Sequence, residues 1–137
     1  MEMLSSLREM LAKDTQSLFA AIGVPFDRST ELQRQLLAAY GFGIVYAEGR
    51  TNNLSPSDIH ALSITALMDT FKYSPEQATA FTQHLISAAS DRNVHPTINA
   101  IVHQGIDGHR AIQQGDVAEV SRSLHQILQA VGAGVGS

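Results

Sequence analysis

Apolar residues recur at helical spacing in six stretches of the chain, and none of these stretches alternates like a strand. In the first, Leu4, Leu7, Leu11, Leu18 and Ile22 form one stripe of a helix from about Met3 to Ile22, stopped by Gly23-Val24-Pro25. A second helix starts near Thr30, where Thr30 and Gln33 have the spacing of a capping box. From Leu36 to Ala47 it is apolar or small on every side, Tyr40, Phe42, Ile44, Val45 and Tyr46 included, which predicts burial at the centre of the fold. Gly41 and Gly43 weaken that helix but let a neighbour approach closely, and residues 49–53 read as a loop.

Ser55 followed by Pro56 and Asp58 opens a third helix, which carries Ile59, Leu62, Ile64, Ala66, Leu67, Met68 and Phe71 over a wide arc. Ser74-Pro75-Glu76-Gln77 repeats the signal for a fourth, with Ala78, Phe81, Leu85 and Ala89 on one side, before Asp91-Arg92-Asn93 breaks the chain. A fifth helix runs from Pro96 to about Gln114. Gly115-Asp116 separates it from a sixth, where Asp116 and Glu119 form a box-like pair and Val117, Val120, Leu124, Ile127, Leu128 and Val131 line a stripe. The expectation is an all-α fold: a single compact domain of about six helices over residues 1–131, with the second helix buried centrally. The glycine-rich residues 132–137 follow as a flexible tail.

The fifth helix mixes this apolar repeat with polar groups. Val94, Ile98, Ile101, Val102 and Ile112 share a side with Gly105 and His109. The simplest reading of Gly105, Gly108 and His109 is structural: glycine makes room, and a histidine amid apolar residues makes a buried hydrogen bond. Asn99, His103, Asp107 and Arg110 occupy the opposite flank and form a candidate partner-binding strip, with His103 and Asp107 one turn apart. Two ligands do not make a metal site, and His60, His84, His95 and His125 join no ligand spacing, so no metal or other cofactor is expected. Nor does the chain contain a nucleophile elbow, a phosphate-cradling glycine loop ahead of a lysine or a cysteine, so no catalytic residue is assigned. One variant keeps chemistry open. A turn at Gly105–Gly108, where two glycines cost a helix about 2 kcal/mol, would aim His103 and His109 at a common point.

Composition narrows the classes further. The 137 residues suffice for one core without staples, and charged residues are only 16%, against about 25% in ordinary soluble domains. Such a sparsely charged surface suits docking on another protein, or large buried faces. The net charge of −4 comes without a basic cluster, so nucleic acid is not an expected partner. With no cysteine, disulfides and thiolate chemistry are excluded. The N-terminal residues lack the pattern of a secretory leader and no apolar run is long enough for a membrane span, so the expected setting is the cytoplasm, without membrane association.

The stretch Asn99-Ala100-Ile101-Val102-His103-Gln104-Gly105-Ile106-Asp107-Gly108-His109 resembles the signature of the immunity protein 48 family of bacterial polymorphic-toxin systems, which reads Ile-Ile-His-Arg-Gly-Ile-Asp-Gly-His. His103, Gly105, Ile106, Asp107, Gly108 and His109 match; Val102 stands for isoleucine and Gln104 for arginine, which puts in doubt any role of a positive charge there. The glycine- and tyrosine-rich run Tyr40 to Tyr46 and the opening Tyr73-Ser74-Pro75-Glu76-Gln77-Ala78 are also similar. The resemblance implies a small helical antidote, not an enzyme, that binds and neutralises a cognate protein toxin. The alternative is a small helical enzyme or metal- or ligand-binding domain using His103, Asp107 and His109. A third reading is an adaptor that forms a homodimer through its apolar second helix.

Overall fold

The structure, a computed structural model, describes residues 2–132. Among these there are six α-helices and no strand: α1 (Glu2–Ile22), α2 (Glu31–Thr51), α3 (Pro56–Phe71), α4 (Pro75–Ser90), α5 (Pro96–Gln113) and α6 (Val117–Ala130), with a short 3-10 turn at Phe26–Arg28. Residues 133–137 of the expected tail lie outside the described residues.

The helix starts follow from local chemistry. Thr30 and Ser74 each accept the backbone N–H of the residue three positions on, Gln33 and Gln77, whose side chains accept the cap's own N–H in return. Ser55 and Asp116 cap α3 and α6 by accepting from Asp58 and Glu119. The start of α5 is less usual: Nδ1 of His95 accepts the Ile98 N–H at 3.2 Å, ahead of Pro96 at the first helical position. Gly23 and Gly115 end α1 and α5 at φ +72° and +74°, a left-handed backbone where a Cβ is strained.

The tertiary arrangement is a ring around an axle. Packing runs from α1 to α3, α3 to α4, α4 to α5, α5 to α6 and α6 back to α1, and α2 passes through the middle, pressed hardest against α5. Every residue from Leu36 to Val45 is buried, which is where an all-round apolar helix lowers the free energy most. Phe42 and the half-buried Tyr46 alone carry the helix's apolar surface on toward an open groove described below. Polar ties fix the ring: Arg8 grips both carboxylate oxygens of Asp69 at 2.9 and 3.0 Å, the buried hydroxyls of Thr15 and Thr70 meet at 2.7 Å, and Ser121 donates to the Ala21 carbonyl at 2.8 Å.

Three local expectations are corrected. The segment 49–53 is not a loop throughout, because α2 continues to Thr51. Gly49 lies against Ile59 so closely that an added Cβ would meet the Ile59 side chain at 2.5 Å, and the packing of α2 on α3 carries the helix one more turn. The chain turns only at Asn52-Asn53, where Asn53 adopts φ +56°. Val94, placed on the apolar side of α5, precedes the helix and is 52% exposed; Val117, the first member of the α6 stripe, is the first residue of that helix and is 67% exposed.

Candidate functional site

The inner face of α5 is made by what its residues lack. At Gly43 an added Cβ would stand 2.2 Å from the carbonyl oxygen of Val102, and at Gly105 2.0 Å from that of Tyr40. At Gly108 it would fall 2.0 Å from the Tyr40 hydroxyl. These notches let the backbones of α2 and α5 touch, where ordinary side chains hold helix axes about 8–10 Å apart. Dispersion contacts are gained along the whole seam.

That approach brings two ionisable groups together in the interior. Nε2 of His109 hydrogen-bonds Oε2 of Glu48, with the two residues only 6% and 7% exposed. Gln113 donates to the same oxygen at 3.3 Å, and the Asn52 amide donates to Oε1 at 3.0 Å and to the Glu48 carbonyl at 2.8 Å. Both carboxylate oxygens therefore have donors, the condition under which a buried acid is tolerated. Asp14 of α1 feels this cluster: burial first, and then the Glu48 carboxylate, raise its pKa, while His109 and Lys13 pull the other way.

The outer face is different. His103, Asp107 and Arg110 are exposed, whereas Asn99 is half-buried and donates to the last carbonyls of α4, those of Ala88 and Ala89, at 2.9 and 3.2 Å. Asn99 thus ties α4 to α5, and the other three stand on an open ridge. A hollow lies on each flank of that ridge. Toward α2, α3 and α4 opens a groove of about 590 Å³ walled by Phe42, Tyr46, Ile59, Ile86, Val102 and Ile106, with Arg50, His60 and His103 among its lining residues. Toward α6 there is a cleft of about 130 Å³ between Gln104, Asp107, Glu119 and Ser123, with Tyr40 at its base. Burial raises the pKa of the Tyr40 hydroxyl; nearby Ser123 opposes this but donates its own proton to Gln104 at 3.2 Å.

The residues proposed for chemistry do not converge. The turn at Gly105–Gly108 is not formed, since α5 is continuous from Pro96 to Gln113. His103 therefore stays in solvent while His109 faces Glu48, and no hydrogen bond joins His103 to Asp107. Among the described residues, no three His, Asp or Glu side chains come together as a ligand set for a metal ion. What the outer surface offers is shape and polarity: a ridge between an apolar groove and a cleft bordered by Asp107 and the Arg122-paired Glu119.

The family model described as Immunity protein 48 matches residues 9–132, nearly the whole chain. The chain belongs to the immunity protein 48 family. No curated protein and no solved structure matches it. Among the described residues no helix is long and apolar enough to cross a membrane.

Placed on this member of the family, the stretch from His103 to His109 splits by face. Gly105, Gly108 and His109 pack on α2, while His103, Ile106 and Asp107 border the two hollows. Gln104 is exposed and accepts from Ser123 across the cleft. Sequence reasoning missed Glu48, and with it the partner of His109. The signal was present: a single carboxylate one turn after Ile44, at the end of a helix otherwise apolar all round, is a candidate to answer a histidine on another apolar face. It also missed the groove, whose walls come from four helices and share no spacing in the chain.

Proposed function

We propose that this member of the immunity protein 48 family binds a cognate bacterial toxin and neutralises it by covering the toxin's working surface, with the ridge of α5 as the contact. The family match over residues 9–132 is the observation that carries the reading. It is supported by the exposure of His103, Asp107 and Arg110 on a helix locked from behind by its glycine seam. A ridge held this way loses little conformational entropy on binding, which favours tight complexes. Polar groups around apolar walls match the anatomy of protein interfaces, a desolvated centre with a wetter rim. We place the encounter in the cytoplasm, which fractionation of the producing cell tests.

The direct experiment is co-expression with the product of the neighbouring toxin gene. A stable complex of fixed stoichiometry and loss of toxicity are expected, and replacing His103, Asp107 and Arg110 together by alanine should weaken the complex about tenfold or more. A toxin that neither co-purifies nor loses potency sinks the reading.

A further inference from the structure

The two hollows beside α5 differ in charge, and the difference bears on what the larger one receives. The titratable groups lining the groove are Tyr46, Arg50, His60 and His103; no aspartate or glutamate lines it, although acids outnumber lysine and arginine thirteen to nine in the chain. The carboxylates of Asp107 and Glu119, the latter paired with Arg122, border the cleft on the other flank instead. Arg50 is the fixed cation of the groove. Its guanidinium donates to the Tyr46 hydroxyl at 2.8 Å and lies 5.7 Å from the centre of that ring, and no ion pair among the described residues engages it. A guanidinium steadied on an aromatic face with donors to spare suits a carboxylate, which it can grip with two parallel hydrogen bonds. The volume of about 590 Å³ falls within the range of sites that bury a ligand. Its walls are set in place by the contacts of Gly43 with Val102 and of Gly49 with Ile59.

We propose that this groove seats an apolar side chain of the toxin, and that Arg50 holds a toxin carboxylate beside it. The proposal rests on the reading of the chain as a toxin inhibitor and adds to it the chemistry of the partner: an aspartate or glutamate next to an aliphatic or aromatic anchor. The groove rather than the ridge alone then supplies the desolvated centre of the interface, with His60 and His103 at its edge.

The test is a charge swap on the whole chain. Arg50 is exposed, so R50E leaves the core intact, which an unchanged melting temperature checks. The expected result is about tenfold or greater loss of toxin affinity with R50E, restored by changing one surface aspartate or glutamate of the toxin to lysine. Unchanged affinity with R50E, or the failure of every single toxin charge reversal to restore binding, overturns the proposal while toxin binding by the unaltered chain keeps the inhibitor reading intact. If the unaltered chain does not bind the toxin, both fall. A long-chain fatty acid found in stoichiometric amount by native mass spectrometry of the purified chain also overturns it, in favour of a lipid occupant.

Discussion

On its inner face α5 presents Gly105, Gly108 and His109 to α2, and there a single added methyl group would stand 2.0 Å from a backbone oxygen or a buried hydroxyl. Less than one turn away, His103, Asp107 and Arg110 reach into solvent. One face is defined by the absence of side chains and by a fully bonded buried acid; the other by exposed polar side chains. The contrast teaches that one short motif can serve two masters. Its glycines and His109 set where α5 lies, and that position decides which residues between and beside them face solvent. The α1–α3 contact supplies the control. There a buried Thr15–Thr70 hydrogen bond and an exposed Arg8–Asp69 pair join the helices through side chains alone.

The comparison breaks most sharply at Gly105. Replacing it with alanine forces α2 and α5 apart at a backbone contact that no rotamer change can relieve, so the cost should reach or exceed the upper end for overpacking, about 3 kcal/mol. A fall in melting temperature of about 10 °C or more is expected. A G105A protein that melts with the original would refute the seam.

Glu48 comes next. Alanine there strips His109, Gln113 and Asn52 of their acceptor and should cost about 2–4 kcal/mol in a denaturant titration. Replacing Glu48 and His109 together by leucine removes the acid and its main donor at once and should recover much of that loss. A double variant no better than the single one would mean the pair matters for more than mutual satisfaction.

Asp14 probes the same cluster by pH. Its folded pKa is raised above the ordinary 3.8, so the folded state holds that proton more tightly than the unfolded one. Ionised Asp14 therefore weakens the fold: the penalty is absent below the ordinary value, grows as pH rises through the raised one and is complete above it. D14N, which cannot ionise, should gain stability relative to the original chain across that window and hold a constant advantage beyond it. Melting curves at intervals from pH 3 to pH 7 check the sign, and an advantage that shrinks with rising pH would contradict it.

The smallest effects belong to the ridge. H103A, D107A and R110A should each shift stability by no more than about 0.5 kcal/mol, as surface changes do. N99A stands apart at about 1 kcal/mol, because its amide ties the end of α4. A ridge substitution as damaging as G105A would erase the distinction between the faces.

Much of this division was legible beforehand. Helical periodicity and the caps at Thr30, Ser55, Ser74 and Asp116 are encoded within a few residues, so the six helices and the separation of Gly105 and His109 from His103 and Asp107 could be read directly. The same locality explains the error at residues 49–53: glycine near asparagine reads as a loop until Ile59 of another helix is seen to need that glycine.

The sequence by itself determined that the chain is helical, that α2 must be buried, and that residues 9–132 carry the immunity protein 48 pattern. Each follows from side-chain order along a single strand of chain. Only the tertiary structure decided that His109 finds Glu48, sixty-one residues earlier, and that Phe42, Ile59, Ile86 and Ile106 enclose one groove with Arg50 at its edge. These pairings depend on how closely helices pass one another. That closeness is set at Gly43, Gly49 and Gly105 by the atoms of a different helix, which the local sequence does not name.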